Sequence, residues 1–389
     1  MSKILIAGDF CPEGFYTNEA LYRDKRMSEA AAAIAEITSA HQISVVNVET
    51  VYSESNTPIP KSGPNLKSSI QTLEFLKQMR FTVAACANNH IGDYGEEGVL
   101  DTLKILQKSG MLTVGAGENT QDAAKVCYIK CDDMTVALIN CCEHEFGTAR
   151  KGKAGAAAMD WYDTGKQITE ARGKADAVIV YLHGGNEYNP VPRPGMKKLC
   201  HHFAECGATA IVVGHSHCPQ GIETYKGVPI AYGIGNFYFP RMNCEGMWNN
   251  GYMVSLCVEK DTAATIEIIP YVQKEDATGI RLLEGQEKEA FLKYMDHISA
   301  LMNEEETYEK LTLAWCSMYM QEWGKEYLTD GPSENKHELR TLIIRNLFTC
   351  ESHNELIKTY YDAFCDGRID DSLEPYCDMI RRLQNSIIL

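Results

Sequence analysis

Six times along this chain a short apolar run ends in residue types that bind metal ions or move protons. They are Gly8-Asp9, Asn47-Val48-Glu49, Asn88-Asn89-His90, His183, Gly214-His215-Ser216-His217 and Gly235-Asn236-Phe237. The runs that precede them, within residues 3–9, 43–49, 81–89, 175–184, 208–217 and 228–237, are nearly continuous in Val, Ile, Leu and Ala, and two more lie at 112–117 and 135–141. Strands that lack polar alternation are covered on both faces. Stretches of helical period separate them at 28–40, 68–79, 96–110 and 196–207, the last two ending at glycine as helices commonly do. This alternation predicts a layered α/β body. In such bodies, functional groups gather outside the carboxyl ends of the strands, so residues far apart in sequence converge on one edge.

Residues 251–283 carry three more strand-like runs, YMVSLCVEK, ATIEIIPYV and GIRLL, which are expected to extend or pair with the sheet. Strand signals then stop. Segments 286–302, 304–323, 336–350, 353–365 and 371–388 place apolar residues at three- and four-residue intervals and read as amphipathic helices. The expected division is an α/β domain over 1–284 and an all-helical region over 285–389, either a small bundle or a layer packed on the body.

Charge narrows the partners. With 37 Lys+Arg against 53 Asp+Glu, the net charge of −16 argues against nucleic acid or an anionic membrane surface, which are held mainly by clustered cations. A small anionic substrate or a polymer end remains compatible, because a bound cation inverts the local field. The first ten residues hold too few apolar positions for a signal-peptide core, and no run approaches the roughly 18 apolar residues of a membrane span. A cytoplasmic protein without a membrane span is expected. The 15 cysteines, with no Cys-x-x-Cys pair, read as reduced and mostly buried thiols.

An Asp, a Glu, an Asn and three His at strand ends suit a pair of divalent cations: a carboxylate bridges two ions while imidazoles and an amide oxygen complete the shells. Two such ions about 3.5–4 Å apart activate water and clamp the oxygens of an in-line displacement at phosphorus. Within His215-Ser216-His217, an extended chain would throw both imidazoles to one face. Glycine ahead of Asp9 and His215 permits close backbone approach.

GDF at 8–10, NVET at 47–50, ANNHIGDYGEEGVLDTLKIL at 87–106, GAGEN at 115–119, HGGNEY at 183–188 and VGHSHCPQGIETYKGVPIAYGIGNFYF at 213–239 resemble the successive motifs of the CapA family. These are the poly-gamma-glutamate capsule synthesis proteins, within the calcineurin-like metallophosphoesterase superfamily. The resemblance covers roughly residues 1–240 and implies a two-sheet metallophosphoesterase-like α/β sandwich. It implies that Asp9 and His217 bind a first metal, that Glu49 bridges, and that Asn89, His183 and His215 bind a second. The ions would be Mn, Fe or Zn. His90 would act as general acid or stabilise the leaving group while metal-activated water attacks a phosphate ester. Asp93 either orients His90 or caps the following helix. The same centre would also serve an amide hydrolase acting on gamma-glutamyl polymers, and a third reading is a non-catalytic accessory protein of capsule polymer synthesis.

Two positions depart from the wider superfamily. Its Asp-x-His motif reads Asp9-Phe10-Cys11 here, so either the first metal lacks a ligand or Cys11 supplies a thiolate, which favours zinc or iron. Glu49 replaces an aspartate, and one more methylene alters the metal spacing. Glu187, Tyr188, Arg193 and Arg241 are the candidate substrate contacts, the arginines because their forked donors match phosphate or carboxylate. Glu143, His144 and Glu145 form a polar cluster after the strand ending at Cys142, and Asn236 is expected to hold its loop.

Overall fold

The computed structural model describes residues 2–13, 24–241, 246–260, 262–324 and 337–385. Its first half supplies strands β1 (Ser2–Phe10), β2 (Ile43–Val48), β3 (Val83–Ala85), β4 (Leu112–Val114), β5 (Ala116–Gly117), β6 (Cys127–Cys131), β7 (Met134–Cys142) and β8 (Gly155–Ala156). The second half supplies β9 (Ala177–His183), β10 (Ala210–Gly214), β11 (Ile222–Tyr225), β12 (Val228–Ala231), β13 (Asn236–Tyr238), β14 (Asn250–Val258), β15 (Thr265–Gln273) and β16 (Ile280–Leu282). Two large sheets result. One runs β16-β15-β14-β1-β2-β3-β4 with β13 against the end of β1, and the other runs β11-β12-β10-β9-β7-β6. The central pairs are parallel, whereas β14–β16, β6 and β11 run antiparallel at the flanks.

Period-two packing makes this a sandwich. Ile4 and Ile6 of β1 and Val45 of β2 share a core with Val136 and Leu138 of β7, Ile179 of β9 and Val212 of β10, which is the layer between the sheets. Their neighbours Leu5, Ala7 and Val46 turn the other way, onto Ala31 and Ile34 of the helix Lys25–Ser39. On the second sheet Val178 and Val180 meet Ile168 and Phe203 of the helices Trp161–Arg172 and Pro194–Glu205. Each sheet is therefore buried on both faces, which is why its strands carry no polar alternation. The helix Pro194–Glu205 does end at a glycine, Gly207, with φ +109°.

The helices after residue 284 pack onto the body. Phe291, Met295 and Ile298 of Gly285–Leu301, Leu311 and Ala314 of Glu305–Tyr319, and Ile380 and Leu383 of Glu374–Asn385 join the same core as the inter-sheet residues. Tyr308 Oη donates to Pro192 O (2.7 Å) and Gln384 Nε2 to Tyr188 O (2.9 Å). The helices His337–Thr349 and Glu351–Cys365 complete the region. Among the described residues, no helix is long and apolar enough to cross a membrane.

Candidate metal centre

The strand register sets the site. β7, β9 and β10 end level, with Cys142 opposite His183 and His183 opposite Gly214. On the other sheet Asp9 lies opposite Asn47 and Asn236. The two edges deliver Asp9, Glu49, Asn89, His183, His215 and His217 to one buried place, each at most 8% exposed. A side chain at position 8 would prevent this, since a Cβ on Gly8 would lie 1.9 Å from the carbonyl oxygen of Gly235.

Two donor groups share one carboxylate. Glu49 joins His183 and His215 in one cluster and Asp9 and His217 in another, with the potential ligand atoms of each within 4.8 Å of one another. Asn89 belongs to the first: His183 Nε2 is 3.0 Å from Asn89 Oδ1, 3.1 Å from His215 Nδ1 and 3.7 Å from Glu49 Oε1. In the second, His217 Nδ1 is 3.7 Å from Asp9 Oδ2. Both oxygens of Glu49 are buried and accept no hydrogen bond from any described residue. A buried carboxylate without a partner costs several kcal/mol unless a cation balances it, on the order of the penalties known for unpaired buried ions. The donor set of carboxylates, imidazoles and an amide oxygen fits such cations.

The electrostatics agree. Burial, reinforced by Asp9, holds the Glu49 carboxyl well above its ordinary value, and burial likewise raises Asp9 despite His217 and the hydrogen bond from Asn47. Burial, with His215 beside it, pushes His183 well below its ordinary value, and burial lowers His217 to about 4. The His183 and His217 rings are thus neutral and ready to ligate, while the two acids compete for protons where a cation would release them.

The paired histidines converge for a different reason from the expected one. Residues 215–217 leave the strand, and His215 and His217 adopt φ +86° and +52°, a left-handed conformation uncommon for residues with a Cβ. The strained turn, rather than strand alternation, aims both rings inward. Asn236 holds the second of them: its Oδ1 lies 2.8 Å from His217 Nδ1 while its Nδ2 donates to Trp248 O. Since an amide oxygen only accepts, the proton is on Nδ1 and Nε2 keeps its lone pair.

His90 stands beside the shared carboxylate, with Nε2 3.9 Å from Glu49 Oε1. Its Nδ1 is 2.7 Å from Asp93 Oδ2. Asp93 therefore orients the imidazole; the N-cap position of the helix Gly95–Lys108 is Tyr94, which makes no side-chain cap hydrogen bond. Sequence reasoning missed Lys61, whose side chain is 2% exposed and whose Nζ donates to Asp93 Oδ1 and lies 3.1 Å from His90 Nδ1. A lone lysine in the stretch TPIPKSGPN carries no signal of this. Burial first, and Lys61 second, lower the His90 pKa. Asn47 and Asn88, at the ends of β2 and β3, are the supports: Asn47 Nδ2 donates to Asp9 Oδ1 (2.7 Å), and Asn88 Nδ2 donates to Asn47 Oδ1 (3.1 Å).

The remaining candidates separate. Tyr188 is half-buried, 6.1 Å from the His217 ring and stacked on Trp248 at 6.0 Å. The Arg241 guanidinium lies 5.3 Å from the Trp248 centroid and donates to Tyr188 Oη at 3.4 Å. Glu187 is exposed, and its charge is felt at Glu49. These three stand at the mouth of the site. Arg193 does not: it is 8% exposed and clamped between Glu143 Oε1 (2.6 Å from Nη2) and Glu355, so its guanidinium is committed to carboxylates and closed to substrate. Cys11 is buried with Leu66, Phe239 and Trp248 and belongs to none of the ligand clusters found among the described residues.

A family model described as bacterial capsule synthesis protein PGA_cap matches residues 3–241. The chain belongs to this family. A PGA biosynthesis protein CapA from Bacillus subtilis is 35% identical over 180 residues, 46% of this chain and 47% of its own. A probable polyglutamine synthesis accessory protein from Mycobacterium tuberculosis is 26% identical over 219 residues, 53% of this chain and 57% of its own. The chain thus spans about half the length of the curated relatives it matches. A crystal structure of a phosphatase from Mycoplasma pneumoniae superposes with a TM-score of 0.46 at 15% identity, over 71% of this chain and 95% of that one. The match to the PGA_cap family ends at Arg241, so the helices after residue 284 lie outside it.

Proposed function

We propose that this member of the PGA_cap family is a metal-dependent hydrolase that binds two divalent cations and cleaves a phosphate ester. One observation carries the reading: Glu49, buried and accepting no hydrogen bond from any described residue, belongs to both donor clusters, the position from which one carboxylate bridges two ions. Asp9 and His217 would hold one ion, and Asn89, His183 and His215 the other. When bound, such a pair supplies an activated water and neutralises charge on the oxygens of the group being displaced.

The protein's own groups supply the rest. His90 presents Nε2 beside Glu49, with its ring fixed by Asp93 and Lys61. In its protonated form it hands a proton to the departing alcohol oxygen, and in its neutral form that nitrogen accepts one. Tyr188 and Arg241 bind the organic part and the outer charge of the substrate at the mouth. The test is hydrolysis of a panel of phosphomonoesters and phosphodiesters by the full chain with Mn²⁺, Zn²⁺ or Fe²⁺. Metal-stimulated phosphate release that disappears in Asp9→Asn supports the reading; no metal-stimulated release across the panel refutes it.

A second reading, cleavage of a gamma-glutamyl amide at the same centre, takes only its polymer from the PGA biosynthesis name of the Bacillus subtilis relative. Release of free amine from poly-gamma-glutamate without phosphate release from any ester would select it.

A further inference from the structure

A second cluster of ligand types lies at the same edge and shares no residue with the first. Glu145, after β7, meets Cys350 and His353, which open the helix Glu351–Cys365, and their potential ligand atoms lie within 4.8 Å of one another. Cys350 is fully buried, and the Glu145 and His353 side chains are 11% and 25% exposed. His353 Nε2 stands 3.4 Å from Glu145 Oε1, too far for a strong charge-assisted hydrogen bond, and Glu145 Oε2 has no hydrogen-bond partner among the described residues. The Cys350 sulfur lies 3.1 Å from Ser352 Oγ and 3.4 Å from Glu143 Oε2, and Glu143 with Cys350 and Glu351 forms an overlapping group.

The nearby charges have a surplus. Glu351 is used by His144, through Nδ1 at 2.6 Å and the backbone N–H at 2.9 Å. Glu143 Oε1 is used by Arg193 and by Gly185 N–H. That leaves Glu145 Oε2, and Glu143 Oε2 with only a backbone N–H and the thiol. A thiol, an imidazole and a carboxylate whose ligand atoms lie within 4.8 Å of one another make a three-donor set of the kind that holds zinc, with a Glu143 oxygen beside the sulfur, and the sulfur disfavours magnesium or calcium.

We propose that Glu145, Cys350 and His353, with Glu143 as the adjacent fourth donor, bind a thiophilic divalent cation of the zinc type that clasps the C-terminal helices to the loop after β7. This site shares no ligand with the hydrolytic centre, although the Glu145 charge is felt there, and its readout is separate. Its role is structural: it would fix the helix Glu351–Cys365, and through Glu355 and Arg193 the backbone near the N-terminus of Pro194–Glu205.

Cobalt tests it, because a thiolate ligand gives Co²⁺ a near-ultraviolet charge-transfer band that oxygen and nitrogen ligands do not. The full chain titrated with Co²⁺ should show the band, and Asp9→Asn and Cys11→Ser should keep it. Cys350→Ser should lose it with about one equivalent of bound metal. Where Cys350→Ser does not fold, His353→Gln and Glu145→Gln retain the thiol and should weaken the band and lower cobalt affinity by about ten-fold or more. No band in the wild type, a band that survives Cys350→Ser, or a band unmoved by both His353→Gln and Glu145→Gln would overturn the proposal. Activity enters none of these readings, so failure of the hydrolase reading leaves this one standing.

Discussion

The strand-end centre and the clasp around Glu143 occupy neighbouring parts of one edge, yet they treat buried carboxylates in opposite ways. In the centre, Glu49 is enclosed without a hydrogen-bond partner among the described residues, and the charge that acts on it most is a second acid, Asp9. In the clasp, burial alone would raise Glu143, but the Arg193 guanidinium outweighs it and holds the carboxyl below its ordinary value. Glu145 is lowered in the same way, burial being outweighed by His353 and His215. In the first arrangement the charge must be removed by a proton or balanced by a cation from outside the chain, whereas most of the second is already neutralised by protein cations. Glu49 thus depends on a cation from outside the chain for its charged form, whereas Glu143 is already held charged by Arg193, and a cation in the clasp would add to a joint that the protein partly makes by itself.

The largest effect expected is at the shared carboxylate. Glu49→Gln should reduce metal-stimulated hydrolysis to the level seen without metal while the fold survives, as circular dichroism would show. Next, His90→Ala should lower kcat by about 10²–10⁴-fold with bound metal unchanged, and Asp93→Asn should lower it less, by about 10–100-fold. If His90→Ala also empties the centre, its role is ligation and the division drawn above fails.

On the clasp side, Arg193→Ala leaves the buried Glu143 and the half-buried Glu355 without their cation and should cost about 3–5 kcal/mol of stability, read by denaturant melts. Arg241→Ala, on the exposed rim, should leave stability within about 0.5 kcal/mol and act on KM instead. The reverse pattern would exchange the roles assigned to the two arginines.

The smallest effect is on protons. Because the Glu49 carboxyl is raised, the metal-free chain keeps it protonated to higher pH than an ordinary glutamate, and cation binding must expel that proton. Metal affinity should therefore rise with pH and fall as the solution is acidified. Calorimetry in two buffers of different ionisation enthalpy should show proton release on binding, and heats independent of buffer would contradict this.

How legible this was differs between the two regions for a physical reason. Strand ends are marked in sequence, because an apolar run buried on both faces stops where the chain reaches the edge, so Asp9, Glu49, Asn89, His183, His215 and His217 could be read as one group. The period-two argument for His215 and His217 nevertheless named the wrong backbone, since φ at a turn is not written in composition. Lys61 and Trp248 were invisible because the loop around the one and the single 3-10 turn that holds the other carry no periodicity. Arg193 was misassigned because its partner Glu355 lies 162 residues later, on a helix whose docking no local pattern encodes. The edge strands β6 and β11 escaped notice because they are half-exposed and mixed in character. The helix Trp161–Arg172 escaped because its buried stripe is only Thr164, Gly165, Ile168 and Ala171.

The central claim is that one carboxylate, Glu49, joins two cations. Electron paramagnetic resonance of the Mn²⁺-loaded full chain tests it directly. The account predicts a spin-coupled dinuclear signal in the wild type that collapses to isolated Mn²⁺ in Glu49→Gln; a mononuclear signal in both, or a coupled signal that Glu49→Gln leaves unchanged, would contradict it.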